Sequence, residues 1–500
     1  MELIKESKIY NKKQGHQYIP AYTETDMNIP DSKPDIGAIV SEDAMVCINS
    51  VESNNGKLTL EMEANISVIY RGIDESVHVV RSKHNFRQIV DSCCMGDALR
   101  IVEEIKKTQV EAIIINSRKL GIRLSIGVDL KHFSKEEIEY IADSNEPGFE
   151  KKSGMASMKM NDFVGSGSLS CKSVFAIPVG HSSIAEILKL DMIPVNLETK
   201  AAGNKVLIKG DLQAKMLYMG EDGMLNSLEN TFGLSEIVSL ENEFEAENLV
   251  RGNIAINKIY YIIGQDDDGE NRLVDIETDF RATFYQSKMI NFEFVADMFG
   301  IKDELELTNE TCQIPNIAFE KEEKIAVNAS LQAERQISNI HDVAIWQKTL
   351  SSQMENGNLN VHGELEVRAV FLMDGELHCA RQTISYDKPI FIGECEDIDI
   401  DSKIDNITFN LNLAGEIEIA ASVILTLTSE NHQSFTYLTN AEVMEKDAER
   451  ANRPYSMRVY YVKEGDCAWS IAKKYKVCQS DLIEENGENL YKGQKLLIQG

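Results

Sequence analysis

The sequence lacks any run approaching the eighteen apolar residues that a membrane-spanning helix needs, and its opening, MELIKESKIYNKKQGHQY, holds no apolar core of seven or more. Neither membrane insertion nor a secretory leader is expected, and cytoplasmic residence follows as the default. Positive charge is scarce: 51 Lys and Arg stand against 81 Asp and Glu, a formal charge of -30. Phosphate backbones are bound by clustered Lys and Arg, so the balance argues against a nucleic-acid partner, and an anionic membrane surface would repel the chain. No HExxH and no Walker-type phosphate loop occurs, and the histidines are scattered, so neither an enzyme nor a cofactor is expected.

Cysteines are few and odd in number. Nine of them, spread over 500 residues, read as reduced thiols and not as a disulfide framework. The adjacent pair Cys93-Cys94 has neither CxxC spacing nor a histidine ladder beside it. It reads as structural, buried thiols, and no metal ligand is assigned anywhere in the chain. Disorder is not indicated either, since 43% of the residues are hydrophobic and 26% charged.

What is present is a repeat. In Lys57 to Tyr70, KLTLEMEANISVIY, the residues Leu58, Leu60, Met62, Ala64, Ile66, Val68 and Tyr70 alternate with a largely polar set, the period-two pattern of a strand with one buried face. The pattern returns at Lys205 to Tyr218 and again at Asn358 to Phe371, with Gly210 and Gly363 at equivalent inner positions. Such a strand is about 43 Å long. The two glycines mark a bulge or a close backbone approach. Over Asp35 to Tyr70 and Ser183 to Tyr218 two copies align without a gap at a spacing of 148 residues.

Each long strand is followed by a turn and a return strand, then by a second hairpin: Leu99 to Asn116 with Gly121 to Phe133, Gly252 to Ile263 with Arg272 to Phe284, and Asp397 to Leu413 with Glu416 to Thr428. The expected fold is mainly β, with tandem antiparallel hairpin units forming sandwiches or half-barrels, short helical joints and a small C-terminal βααβ domain. The expected organisation is a lead-in over 1–28, a first unit over 29–145, a linker over 146–176, a second unit over 177–300, a third, divergent unit over 301–440, a linker helix over 441–457 and a final domain over 458–500. Ser134 to Ile141, SKEEIEYI, predicts a helix with a capping box from Ser134 and Glu137. Met289 to Asp303 predicts a second helical joint, and Gly165 to Ser168 reads as linker. Acidic Asp266 to Gly269 reads as a solvated hairpin tip and Glu394 to Asp401 as a charged loop or strand edge.

Residues 459–500 resemble the LysM domain, through Tyr460, Gly465-Asp466, Trp469-Ser470-Ile471-Ala472, Tyr475, Leu482-Ile483, Asn486 and Gly493-Gln494-Lys495-Leu496. One helical face of Ala468, Ile471, Ala472 and Tyr475 supports a βααβ fold independently. The module holds six Lys and six acidic residues, so the acidic excess belongs to the β units. The resemblance implies a shallow groove for N-acetylglucosamine polymers, formed by Gly465, Asp466, Cys467, Ala468 and Trp469 facing Asn486, Gly487, Glu488, Asn489 and Leu490. Two departures weaken glycan reading: Cys467 and Ala468 stand where the family usually has Thr and Leu, and Cys478 stands at a helix cap that Cys fills poorly. Trp469 is expected to pack inward.

Tandem β units with an IP…KPDI opening, ahead of a LysM, resemble the SPOCS family of endospore-forming bacteria. That resemblance implies a non-enzymatic adaptor in the mother-cell cytoplasm at the forespore's outer surface. Its LysM would bind a SpoIVA-like spore coat morphogenetic ATPase, with other coat proteins as further partners. The alternative is a peptidoglycan-binding protein of the cell wall or spore cortex.

Overall fold

A computed structural model describes residues 2–94, 100–240, 249–333, 335–393, 397–444 and 457–499. The first unit runs through β1 (Leu3–Asn28), β2 (Ile36–Asn54), β3 (Lys57–Gly72), β4 (Val77–Asp91), β5 (Arg100–Asn116) and β6 (Lys119–Ser144). These pair as two antiparallel three-stranded sheets, β1-β6-β5 and β2-β3-β4, whose inner faces share one core. The second unit repeats the order with β7 (Phe149–Ala176), β8 (Ile184–Ala202), β9 (Lys205–Gly220), β10 (Leu225–Ser239), β11 (Leu249–Gly264) and β12 (Leu273–Gly300). So does the third, with β13 (Leu305–Leu331), β14 (Ile337–Glu355), β15 (Asn358–Met373), β16 (Glu376–Phe391), β17 (Asp397–Leu411) and β18 (Ile417–Val443).

The alternation read from the sequence is the alternation of burial. Leu58, Leu60, Met62, Ala64, Ile66, Val68 and Tyr70 are all at most 1% exposed, and Val206, Ile208, Leu212 and Ala214 are wholly buried. A large aliphatic side chain buried in this way contributes about 1.5–3 kcal/mol, so one strand face supplies much of each core. The two glycines serve close approach. Opposite Gly210, β8 bulges between Val195 and Glu198, and a Cβ on Gly210 would come 2.9 Å from the Val195 carbonyl oxygen. Opposite Gly363 stands Tyr386, whose ring occupies the space a Cβ would need.

Several segments expected to join the units are strands within them. The lead-in 1–28 is β1, paired along its length with β6, and the linker 146–176 is β7, paired with β12. Gly165 and Gly167 lie inside β7, where Leu240 packs over the first in ordinary contact and Val238 leaves no room for a Cβ on the second. Ser134 to Ile141 and most of Met289 to Asp303 are the far ends of β6 and β12, not helices. The charged joint expected as a helix over 441–457 begins in β18, and residues 445–456 lie outside the described residues.

These far ends build a second layer of structure. Strands of 26 to 28 residues, such as β1, β6, β7 and β12, would span about 85–90 Å if straight. They run beyond each sandwich, past equivalent bulges at Lys13/Gly15, Phe284/Tyr285 and Ile317/Phe319, into a shared stem. There Tyr10 and Tyr140 of the first unit, Phe292 and Phe294 of the second and Tyr437 of the third pack together. Past them, Ile141, Val295 and Leu438 repeat the threefold contact.

A second threefold contact joins the sandwiches. The strands β2, β8 and β14 bulge at equivalent residues Val40, Leu188 and His341, and Val40 and Leu188 pack with Ile69, Leu217 and Val370 in one cluster. Beside it, Lys189 is held by Asp191 (2.6 Å), Asp342 (2.8 Å) and Asp43 (3.7 Å), while Arg368 bonds the Glu42 carbonyl (2.6 Å) and Asp43 (3.2 Å). Burial alone would raise the Asp43 carboxyl, but Lys189 and Arg368 outweigh it and hold it below the usual range.

Candidate functional site

The C-terminal module is built from β19 (Met457–Tyr461), α1 (Ala468–Tyr475), α2 (Gln479–Asn486) and β20 (Lys495–Gln499), with β19 and β20 antiparallel. Its core is Tyr460, Val462, Ile471, Ala472, Val477, Leu482, Leu496 and Ile498. Cys467 caps α1: the Ser470 amide donates to its sulfur at 3.5 Å and the Ser470 hydroxyl accepts from its amide at 3.0 Å. That backbone donor, with the serine hydroxyl, holds the Cys467 thiol below its ordinary value. Cys478 begins α2 without a side-chain cap bond. The helix ends instead on Asn486.

The two loops expected to form the groove are tied together by their own polar groups. Asp466 accepts from the Tyr460 hydroxyl (2.7 Å) and the Lys463 amide (2.8 Å), which hold its carboxyl low and push the Tyr460 phenol up to about 12. Asn486 donates to the Leu482 and Leu497 carbonyls (3.0 and 2.8 Å) and accepts from the Leu497 amide (2.7 Å). A Glu464 to Lys492 ion pair at 2.6 Å links the exit of β19 to the approach of β20. One carboxylate oxygen of Asp466 and both polar atoms of Asn486, the two side chains best suited to reading a sugar, are thus engaged in holding the module closed. Gly465, Cys467, Gly487, Glu488 and Asn489 remain exposed along the rims, with Ala468 and Leu490 half-buried.

Trp469 is 7% exposed, and what buries it is the β body. Its indole Nε1 donates to Asp297 at 2.8 Å and its ring meets Phe299 edge-on at 5.0 Å. Lys473 reaches the other Asp297 oxygen at 2.6 Å, Lys476 reaches Glu304 at 3.1 Å, and Glu150 accepts from the Cys478 thiol at 3.0 Å. All of these partners lie at the tip of the stem, around the turns that join β6 to β7 and β12 to β13. Sequence reasoning missed this dock. The signal available was charge alone, Lys473 and Lys476 of a neutral module beside an acidic chain.

On the outer face of its two-stranded sheet the module is apolar and open. Met457, Val459 and Tyr461 alternate outward on β19 at 55, 51 and 60% exposure, and Leu497 stands beside Val459 on β20 at 42%. Next to them a groove of about 360 Å³ runs between α2 and β20, with Val477, Leu482 and Ile498 in its floor and Asp481, Glu484 and Glu485 at its rim.

Elsewhere, a cavity of about 730 Å³ lies between the first two units, but charges in its wall already pair with one another, as Arg281 does with Glu103 and Lys189 with Asp191. The tip at Asp266 to Gly269 is a turn whose Asp266 carboxylate accepts its own backbone amides from Asp268 and Glu270 at 3.0 Å. In the acidic stretch Glu394 to Asp401, residues 394–396 lie outside the described residues. Asp399 and Asp401 are not simply solvated: they bind Lys131 (3.2 Å) and Lys106 (2.8 Å) of the first unit. Cys93 is exposed and Cys94 half-buried, so the pair is not the buried structural thiols expected. No helix among the described residues is long and apolar enough to cross a membrane.

Fold and site together define a chain of tandem antiparallel β sandwiches carrying a LysM module. A family model described as SipL, SPOCS domain, matches residues 35–115 and 183–263, and a LysM domain model matches residues 460–499. The chain is therefore similar to SipL, a sporulation-related protein, with two SPOCS segments and a C-terminal LysM, both of them non-catalytic domain families. The matched segments cover β2 to β5 and β8 to β11, and the third unit repeats their strand order in β14 to β17. No curated protein and no solved structure matches the chain.

Proposed function

We propose that this chain is a non-enzymatic adaptor of spore coat assembly, in which the LysM grips a SpoIVA-like coat ATPase at the forespore surface and the β body holds and spaces it. One observation carries this reading: Met457, Val459, Tyr461 and Leu497 form an outward apolar sheet face with an acid-rimmed groove at its edge. Contiguous exposed apolar side chains rimmed by charge mark protein contacts. The matching partner presents an apolar patch flanked by Lys or Arg. The acidic body, which repels nucleic acid and anionic membranes, keeps the remaining surface free of competing contacts.

A peptidoglycan ligand is the competing reading, and Asp466 and Asn486 count against it because the module engages one Asp466 oxygen and both polar atoms of Asn486 internally. Two assays on the full chain separate the readings. Binding to the purified coat ATPase with no cosedimentation on purified peptidoglycan supports the adaptor. Strong cosedimentation with no ATPase binding would replace it with the glycan binder.

A further inference from the structure

The first unit gathers metal-ligating atoms far from the LysM. After β4 ends at Asp91 the chain bends through Ser92, Cys93 and Cys94 against β1. Gln17 pins the bend from both sides, accepting from the Cys93 amide at 3.2 Å and donating to the Asp91 carbonyl at 2.9 Å. Ser92 closes it, its hydroxyl donating to the Cys94 carbonyl at 2.6 Å.

In an extended strand two neighbouring side chains point to opposite faces, and adjacent cysteines could not share a ligand. Here the bend turns both thiols the same way, with their sulfurs 3.4 Å apart over Gly15. A Cβ at Gly15 would come 2.5 Å from the Cys94 sulfur and 3.0 Å from that of Cys93, so the missing side chain is what admits them. Gly15 pairs across the ladder with His132 of β6. The His132 side chain is wholly buried, and neither of its ring nitrogens has a hydrogen-bond partner among the described residues. One ring nitrogen and the two sulfurs all lie within 4.8 Å of one another.

A buried polar group left without a partner is destabilising, and a bound cation removes that cost. Tetrahedral zinc holds sulfur at about 2.3 Å and imidazole nitrogen at about 2.0–2.1 Å, which sets ligand atoms roughly 3.3–3.8 Å apart. For two sulfurs the figure is about 3.8 Å, a few tenths of an ångström wider than the 3.4 Å at which they stand. Two thiolates and one imidazole suit a thiophilic d¹⁰ ion, and hard cations that prefer oxygen are a poor match.

We propose that Cys93, Cys94 and His132 form a three-ligand metal site, zinc being the ion its donors fit, with the fourth position open on the side of exposed Cys93. Bound metal would clip the bend after β4 onto the β1 and β6 ladder, where the first sandwich passes into the stem. Metal entry releases the thiol protons, and its binding free energy adds to the stability of this unit.

The test uses the full chain, reduced, stripped with a chelator and titrated with Zn²⁺ alone, with metal counted after gel filtration. One equivalent per chain is expected, lost in a Cys93→Ser/Cys94→Ser double variant. Gly15→Ala, which removes no donor, is expected to weaken binding about tenfold, as displaced supporting groups do. Co²⁺ in place of Zn²⁺ is expected to give a thiolate-to-metal absorption band in the native chain and none in the double variant. His132→Leu is expected to lose the zinc as well, and should that variant fail to fold, Cys93→Ser, at an exposed position, provides the same readout. Absence of bound zinc, zinc retained in full by the double variant, or a Co²⁺ spectrum without the thiolate band would each overturn the site.

Discussion

Lowering the pH from 7 to 5 should destabilise the threefold centre through one side chain, His341. It is 8% exposed, neither ring nitrogen has a hydrogen-bond partner among the described residues, and it fills the bulge position that Val40 and Leu188 fill in the other units. Burial pushes its imidazole down to about 4, from about 6.5 in an unfolded chain. Between those values the unfolded chain takes up a proton that the folded chain refuses, so stability falls as pH drops through 6.5 and levels off below 4. The full difference corresponds to about 3 kcal/mol, of which about 2 kcal/mol is lost between pH 7 and pH 5. His341→Leu copies the second unit, so it should fold, gain about 1–2 kcal/mol at neutral pH by removing two unsatisfied nitrogens, and lose this pH dependence. Urea unfolding of both chains at pH 7 and pH 5 measures the double difference, in which every other titrating group cancels. Equal loss of stability in both chains would refute the reasoning.

Three further perturbations follow from the contacts. Asp297→Ala, which removes the acceptor of both Trp469 and Lys473, should weaken LysM docking by about 2–3 kcal/mol, and Asp297→Asn, which keeps an acceptor for the indole, by about 1 kcal/mol or less. Hydrogen exchange should quicken in α1 and at Val295 to Gly300 while β3 is unchanged, and acceleration spread over the whole chain would contradict the local dock. Gly363→Ala drives a methyl group into the Tyr386 ring and should cost about 1–3 kcal/mol, read as a lower melting temperature, whereas an unchanged melt would mean that the ring moves freely aside. Burial alone would raise the Asp399 carboxyl, but Lys131 and Lys13 outweigh it and hold it low. Its stabilisation is therefore present above about pH 4 and lost below. Asp399→Asn should destabilise the neutral chain by about 1–2 kcal/mol, with the difference shrinking as the pH falls below about 4, and a difference that stays constant into acid would count against the ion pair.

The parts of the fold legible in the sequence are those set by one buried face. Leu58 to Tyr70 could be read because every second side chain enters the same core. The stem misled for an equally local reason. Ile138 and Tyr140 alternate inward as a strand should, but a bulge at Ala142 lets Ile141 face inward as well, and Val295 does the same beside Ala296. Inward residues spaced by one and by three imitate a helix. The small residues Gly165 to Ser168 read as linker because composition does not record that Val238 and Leu240 pack over them. The LysM was legible as a module, yet the roles of its groove residues were not. Asn486 and Asp466 look like ligand-reading groups until their bonds to Leu497 and Tyr460 are seen. The dock of Trp469 on Asp297 joins residues 172 positions apart, and no local pattern encodes it. Cys93 and Cys94 were set aside as ligands because neither CxxC spacing nor a histidine ladder stands beside them in sequence; His132 reaches them only across the β1–β6 ladder, and the bend pinned by Gln17 brings the two thiols together.

Localising a tagged full chain carrying Val459→Asp in sporulating cells tests the adaptor reading most directly. Val459 is half exposed on the outer sheet face and is not one of the residues of the LysM core or the dock, so the variant should fold and keep its melting temperature. The native chain should form a ring around the forespore and the variant should remain dispersed in the mother cell. A variant that rings the forespore as fully as the native chain would contradict the assignment of this face to the partner.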